Sequence, residues 1–227
     1  MPQHTQLQAA DGHKFDAYIA QPTGEPKAGI VVLQEIFGVN AHIRSVADRF
    51  ARAGYLAIAP ALFDRAQRDA ELAYGSDEAK QGMQIVQRIP IEQTLADIAA
   101  AIQYLREHGG RKVGVVGYCW GGTLAWVSNT RLHPDASVSY YPGGIQNYIQ
   151  EKSTCSAIFH FGLEDSHIPQ SVVEQVRHEY PGFSVFTYEG AGHAFNRDVD
   201  PSYNEAAAKL AQQRTLAHFG EYLVASH

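Results

Sequence analysis

The sequence contains very little cysteine: Cys119 and Cys155 are the only two among 227 residues. Two cysteines are too few for the disulfide scaffold of a small secreted protein, and these two do not have the spacing of metal ligands. The histidines also lack ligand spacing. We therefore expect two free thiols and no bound metal ion.

Long apolar runs and long runs of one charge are also missing. No window reaches the roughly 18 apolar residues that cross a bilayer, and the opening MPQHTQLQAADGHKF lacks the regions of a signal peptide. We therefore expect a cytoplasmic location. The 18 basic and 24 acidic residues give a formal net charge of −6 without a basic patch for nucleic acid or an anionic membrane. The phosphate-loop pattern G-x-x-x-x-G-K is absent. We expect a monomer that acts on a small molecule, with no nucleic-acid or membrane partner.

Strand-like and helix-like segments alternate along the chain. Short apolar runs rich in Val, Ile, Phe and Tyr predict buried strands, and amphipathic segments between them predict helices. The predicted strands cover residues 28–34, 55–60, 112–118, 136–141, 156–162 and 183–189. This order predicts one α/β domain over residues 1–227, with a mostly parallel sheet and helices on both faces. The active site of such a sheet lies at the carboxyl ends of its strands.

Three segments receive more specific predictions. The stretch FDAYIA, residues 15–20, predicts an antiparallel edge strand. Residues 61–89 are polar with weak periodicity and predict a helical excursion from the main fold. His108, His178 and His218 fall in helical stretches, where we expect them to be solvated.

The segment VVGYCWGG, residues 115–122, places Cys119 in the pattern G-x-C-x-G at the end of a predicted strand. This is the nucleophile-elbow pattern with Cys in place of Ser, and a helix follows it directly. The helix N-terminus favours a thiolate, and the backbone N–H of Trp120 would face the site as an oxyanion donor. A second N–H would come from the loop after the strand at 28–34. The alternative is that Cys119 is a small buried hydrophobic residue.

The partners of such a nucleophile follow in a fixed chain order, a carboxylate after a later strand and then a histidine. Asp165 follows the strand at 156–162, and His193 follows the strand at 183–189 in the loop GAGHAF. Glu164 competes with Asp165 for the acid role. Cys155 precedes a strand without elbow glycines, and we expect it to be structural.

Four motifs together resemble the dienelactone hydrolase family: QEIFGVN (34–40), GYCWGG (117–122), GLED (162–165) and GAGHAF (190–195). The similar order of elements extends over nearly the whole chain. The resemblance implies an α/β-hydrolase fold and a Cys119, His193, Asp165 triad. It also implies hydrolysis of an ester or lactone through a thioester acyl-enzyme, without a cofactor.

Glu35 is a carboxylate that an ordinary triad does not need, and burying it without a partner would be costly. The resemblance implies that Glu35 contacts the resting thiol, is displaced when substrate binds and so helps to form the thiolate. It also implies that the Ile36 N–H completes the oxyanion hole. The alternative is a strand-end charge paired with a neighbour such as Arg44.

The residues that would recognise substrate are harder to assign. A carboxylate-bearing lactone needs a cationic group near the triad, and Arg197 matches one arginine of the family. The position of the family's second arginine holds Gln81 or Lys80 instead, which leaves Arg65 and Arg68 as substitutes. Phe37, Trp120 and Tyr141 are aromatic candidates for the pocket, with a place in the core as the alternative for each.

Two classes of function remain open at this stage. The first is a cysteine-dependent hydrolase that cleaves a lactone, a small ester or a thioester. The second is a fold relative with slow or absent hydrolysis that binds a small ligand or senses oxidants through Cys119.

Overall fold

The structure is a computed structural model that describes residues 3–109 and 112–224. Its described part contains eight strands and six α-helices. The strands are β1 (Gln3–Gln8), β2 (Lys14–Ala20), β3 (Gly29–Leu33), β4 (Leu56–Pro60), β5 (Val113–Tyr118), β6 (Ala136–Tyr140), β7 (Ser156–Gly162) and β8 (Ser184–Tyr188). The α-helices are α1 (Ala41–Arg52), α2 (Ser76–Gln87), α3 (Ile91–His108), α4 (Trp120–Arg131), α5 (Gln170–Glu179) and α6 (Glu205–Leu223).

The chain forms two compact units, Met1–Val113 and Gly114–His227. In the first unit the strand order is β1-β2-β4-β3, with β3 and β4 parallel and the other two pairs antiparallel. Every residue of β3 and β4 is buried, so both faces of these strands are covered. The helices α1 and α3 both contact β3 and β4. This is the reason that the two strands read as continuous apolar runs.

In the second unit the order is β5-β6-β7-β8, and all three strand pairs are parallel. All residues of β5 and β6 are buried, and α4 and α6 both contact β6. Because parallel strands end at the same edge, the loops that follow Tyr118, Gly162 and Tyr188 start side by side. These are the loops that carry Cys119, Asp165 and His193.

The predicted fold class is confirmed: the sheet is mostly parallel and carries helices in an α/β arrangement. The helical excursion is also confirmed, since residues 61–89 contain a 3₁₀ helix (Leu62–Arg65) and α2. The single-domain prediction stays a prediction. Within the residues described, no helix combines the length and the apolar character that crossing a membrane requires.

Two expectations are wrong. The strand at 15–20 is antiparallel as predicted, but it lies between β1 and β4 instead of at an edge. The sequence pattern does not reveal β1, because its residues are mostly polar and Leu7 is its clear buried anchor. His218 is buried at 7% exposure, because its helix packs against β6 and β7. His108 and His178 are exposed as expected.

Candidate active site

Cys119 lies in a sharp turn between β5 and α4. Its backbone has φ 57° and ψ −117°, a left-handed conformation that L residues rarely adopt. Its N–H donates to the Tyr140 carbonyl at 3.1 Å, which ties the turn to the end of β6. A Cβ at Gly117 would lie 1.7 Å from the Gly121 carbonyl oxygen, so only glycine allows the helix to approach the strand this closely. The geometry is that of a nucleophile elbow.

His193 lies between Cys119 and Asp165 and is within hydrogen-bond distance of both. The His193 Nε2 atom is 3.1 Å from the Cys119 Sγ atom, and Nδ1 is 2.8 Å from the Asp165 Oδ2 atom. The His193 side chain is 15% exposed, and that of Asp165 is 1% exposed. The second unit therefore brings together the three residues that the sequence suggested as nucleophile, base and acid.

Backbone donors fix the Asp165 carboxylate. The N–H groups of His167 and Ile168 donate to Asp165 Oδ1 at 2.8 and 3.1 Å, which leaves Oδ2 for His193. Glu164, the competitor for the acid role, is exposed. Its N–H donates to the Ala191 carbonyl at 2.9 Å and so connects the Asp165 loop to the His193 loop.

The surroundings of His193 favour its protonated form. Burial lowers the pKa of His193, but hydrogen bonds to Asp165 and Cys119, together with their charges, outweigh burial and raise the pKa to about 10.

The other thiol has a different environment. Burial raises the pKa of Cys155 to about 12, and the nearby charge of Asp135 acts in the same direction. Both cysteines are free. Cys155 therefore remains a neutral thiol, in line with the structural role expected for it.

Glu35 belongs to the first unit, where it follows β3 and is completely buried. The Tyr74 hydroxyl donates to the Glu35 Oε2 atom at 3.2 Å. Arg44, the cation suggested for the alternative interpretation of Glu35, instead binds Glu71 Oε1 and the Val39 carbonyl, each at 2.6 Å. Ile36 and Phe37 are also buried, and the Phe37 ring packs edge-on against Tyr74 with centroids 4.8 Å apart.

Comparison with known proteins identifies the family. The sequence profile of the Dienelactone hydrolase family matches residues 15–223. The chain belongs to this family. The carboxymethylenebutenolidase of Pseudomonas putida is 34% identical over 218 residues, which cover 92% of this chain and 92% of that protein. Carboxymethylenebutenolidase 1 of Cupriavidus pinatubonensis is 31% identical over 219 residues, or 93% of each chain.

Solved structures agree with this assignment. A crystal structure of a Klebsiella pneumoniae subsp. pneumoniae protein assigned to the dienelactone hydrolases superposes with a TM-score of 0.84 at 30% identity, covering 98% of this chain and 100% of that one. A dienelactone hydrolase-like promiscuous phosphotriesterase from metagenomic libraries shares the fold, with a TM-score of 0.79 at 20% identity over 97% of this chain and 98% of that one. As a dienelactone hydrolase family member, the chain is an enzyme that hydrolyses lactone or ester bonds of a small molecule.

The residues expected to bind a dienelactone-type substrate differ in their burial and in their contacts. Arg197 is 8% exposed and lies 3.4 Å from Asp200 through its Nη1 atom, in the segment that follows His193. Tyr141 is completely buried, and its ring lies 5.2 Å from the His193 ring. Trp120 is half-buried at the start of α4. Their contact with substrate stays a prediction.

Arg65 and Arg68, suggested as substitutes for the family's second arginine, both form hydrogen bonds with other protein groups. Arg65 makes paired hydrogen bonds to Asp97, at 2.9 and 2.7 Å, and to Asp11, at 2.6 and 3.1 Å. Arg68 donates to the Lys14 carbonyl at 2.5 Å. Lys80 and Gln81 are exposed on α2, where Lys80 pairs with Asp77.

Two residues beside these groups were missed by the sequence analysis. Tyr74 contacts Glu35, and the ring of His167 lies 4.7 Å from that of His193. Asp165, His167 and His193 form, among the residues described, a group whose possible ligand atoms lie within 4.8 Å of one another. Two of these atoms are already joined by the Asp165–His193 hydrogen bond. The sequence does offer one signal for His167, which is its position two residues after Asp165, the suggested acid.

Proposed function

We propose that this enzyme is a cysteine-dependent hydrolase of lactones or small esters that works through a Cys119, His193, Asp165 triad and a thioester intermediate. The observation that carries the proposal is the placement of His193, with one ring nitrogen on the sulfur and the other on the carboxylate. A thiol used only for packing would need neither contact.

In the first half of the reaction, the Cys119 thiolate attacks the carbonyl carbon and forms a tetrahedral oxyanion. The acyl–oxygen bond then breaks, and protonated His193 donates its Nε2 proton to the leaving oxygen. For a lactone the leaving oxygen stays on the same molecule, so the ring opens and the product remains attached as a thioester. Asp165 holds the imidazole in the orientation that this transfer requires.

In the second half, His193 is neutral and accepts a proton from water as the water attacks the thioester carbonyl. The carbon–sulfur bond breaks, Cys119 leaves as a thiolate, and the product is released as a carboxylic acid. His193 is protonated again at the end of the cycle, as it was when the Cys119 thiolate attacked. The raised pKa of His193 suits a group that begins each cycle protonated.

The oxyanion needs donors placed in advance, and we assign this role to the backbone N–H groups of Trp120 and Ile36. Trp120 is the first residue of α4, where N–H groups point out of the helix. We assign Glu35 the role that the family resemblance implies, control of thiolate formation at Cys119. Replacing Glu35 with Gln should reduce kcat while the protein stays folded.

Two variants test the triad. Cys119→Ala and His193→Ala should each abolish ester and lactone hydrolysis, because each removes a group that takes part in bond making. Cys155→Ala serves as the matched control and should keep full activity. Activity in either triad variant with native circular dichroism would overturn the proposal. Oxidation of Cys119 at low peroxide without any ester turnover would favour a thiol sensor instead.

A second measurement concerns the substrate. Carboxymethylenebutenolidases of this similarity suggest a lactone that carries a carboxylate, for which we assign Arg197 as the cationic partner. The rate on the unsubstituted dienelactone should be compared with that on a short-chain aryl acetate. We expect faster lactone turnover and a selective rise in lactone KM in Arg197→Gln. Brisk ester turnover with weak lactone turnover would retain the triad and reject this substrate class.

A further inference from the structure

His167 lies next to the Asp165–His193 pair, and its side chain has no part in the proposed mechanism. Its backbone N–H donates to the Asp165 Oδ1 atom at 2.8 Å, while its side chain is 71% exposed. The His167 ring lies 4.7 Å from the His193 ring, and its Nδ1 atom lies 3.8 Å from Asp165 Oδ1. A second imidazole is therefore present beside the carboxylate that holds His193.

The donor atoms of these three side chains are of the kind that zinc binds. Among the residues that the structure describes, Asp165, His167 and His193 each offer one possible ligand atom, and these atoms lie within 4.8 Å of one another. Two imidazole nitrogens and a carboxylate oxygen suit an open Zn²⁺ site, in which water takes the fourth position. Zinc bonds of about 2.0–2.2 Å place two tetrahedral ligand atoms roughly 3.4 Å apart. The three groups thus need only a small inward movement to hold the ion.

Two of the three ligands already have the outer contacts of a metal site. The N–H groups of His167 and Ile168 hold Asp165 Oδ1 at 2.8 and 3.1 Å, and His193 Nε2 lies 3.1 Å from the Cys119 Sγ atom. Carboxylate and imidazole ligands of metals are usually oriented by such contacts through their outer atoms. As a result, Asp165 Oδ2 and His193 Nδ1 are turned toward each other, 2.8 Å apart.

The third ligand is the one that can move. The His167 side chain is mostly exposed, and the 3.8 Å between its Nδ1 atom and Asp165 Oδ1 is too long for a hydrogen bond. Rotation of this side chain therefore breaks no hydrogen bond to Asp165. Such a rotation can bring an imidazole nitrogen to an ion bound between Asp165 and His193.

We propose that Asp165, His167 and His193 bind one Zn²⁺ ion from solution and that the bound ion inhibits hydrolysis. Zinc takes the place of the proton on His193 Nδ1, and this proton is released to the buffer. The neutral imidazole keeps its other proton on Nε2, facing Cys119, so it does not accept a proton from the water that attacks the thioester. The inhibition rests on the proposed function, whereas the binding of zinc does not.

The binding is tested in the Cys119→Ala protein, which lacks the thiol as a competing ligand. Isothermal titration calorimetry with zinc chloride should show one ion per chain. Adding His167→Ala should weaken the binding about tenfold or more, because a ligand is lost while the N–H to Asp165 is kept. His178→Ala is the matched control and should retain the affinity, since His178 is an exposed histidine on α5. No binding, or equal affinity with and without His167, would overturn the inference.

The inhibition is tested in the protein that retains Cys119. Zinc should inhibit hydrolysis of an aryl acetate, EDTA should restore it, and His167→Ala should need about tenfold more zinc for half-inhibition. Equal inhibition in both proteins would place the inhibitory ion elsewhere and overturn this part of the inference. Failure of the proposed function has a separate signature, which is hydrolysis retained in Cys119→Ala. The calorimetry of that variant reports on the zinc site in either case.

Discussion

At the scale of single residues, the two cysteines should differ strongly in reactivity. Cys119 lies 3.1 Å from His193, while burial raises the pKa of Cys155 to about 12. Because the thiolate is the nucleophile, we predict that iodoacetamide at neutral pH alkylates Cys119 about a hundredfold faster than Cys155, or more. Peptide mass spectrometry over time measures both rates. His193→Ala should slow only Cys119, and equal rates in the wild-type protein would contradict the prediction.

His193 itself should determine the alkaline limit of activity. Its pKa is raised to about 10, so the protonated form, which in the proposed mechanism donates to the leaving group, persists through neutral pH and is lost only as pH rises through that value. The profile of kcat/KM on a neutral aryl ester should therefore fall near pH 10. In Asp165→Asn the fall should move to lower pH, because a hydrogen bond and a charge are lost. A wild-type limit near the ordinary histidine pKa of 6.5 would contradict this.

The residues that sequence reasoning expected to meet, and that do lie together in the structure, are those whose position the local backbone determines. Cys119 has its elbow glycines, and Asp165 and His193 each follow a strand end, so their chain positions predict that they meet. Tyr74 has no such signal, since it lies in a non-periodic segment and contacts Glu35 only after that segment folds back. The hydrogen bonds of Arg65 to Asp97 and Asp11 could not be predicted for the same reason, because these residues meet only in the folded chain.

At the scale of elements, the turn from β5 to α4 depends on one glycine. Gly117→Ala would place a Cβ 1.7 Å from the Gly121 carbonyl oxygen, a contact with backbone that no side-chain rotation relieves. We predict a loss of unfolding free energy of about 3 kcal/mol or more, or failure to fold. Chemical denaturation measures it. Gly182→Ala is the control, because its Cβ would meet nothing within 4 Å, and equal losses would refute the prediction.

A buried polar cluster connects β6, β7 and β8 to α6. His160 is completely buried, with Nδ1 2.8 Å from the Tyr188 hydroxyl and Nε2 3.1 Å from Thr215 Oγ1. Thr215 Oγ1 also lies 2.7 Å from the Tyr140 hydroxyl. Burial lowers the pKa of His160 well below its ordinary value of 6.5, with the charge of Arg214 acting in the same direction.

This cluster should make stability sensitive to acid. The unfolded chain protonates His160 near pH 6.5, while the folded chain does not, so its contribution is complete above pH 6.5 and is lost as pH falls toward the lowered value. We predict that His160 accounts for a loss of about 1 kcal/mol per pH unit below 6.5. Denaturation at several pH values should show a shallower acid dependence in His160→Gln. Parallel curves would contradict the prediction.

The elements themselves were largely predictable because the buried parallel strands and the amphipathic helices have distinct periods. Each of the predicted parallel strands appears within one residue of its expected ends. The failure was β1, whose polar residues carry little pattern and whose pairing with β2 depends on a hairpin. That strand takes the edge position which the sequence suggested for its neighbour.

At the scale of the whole molecule, the single-domain prediction implies one cooperative unfolding transition. The alternative is that the two compact units, Met1–Val113 and Gly114–His227, unfold separately. We predict coincident thermal curves from near-ultraviolet and far-ultraviolet circular dichroism, with calorimetric and van't Hoff enthalpies that agree. Two separate transitions would show that the units unfold independently. Analytical ultracentrifugation of the same sample tests the expected monomer.

The way in which Asp165 is held has a consequence for engineering. Its carboxylate receives the N–H groups of residues 167 and 168, and those donors belong to the main chain. Any amino acid except proline supplies the same donor. Ile168 is buried, but the exposed side chain at position 167 can be exchanged while the N–H that binds Asp165 is kept. His167 is exposed and its ring lies beside that of His193. A saturation library at position 167 would therefore change the surface next to the His193 ring, while every member except proline keeps the two N–H donors to Asp165.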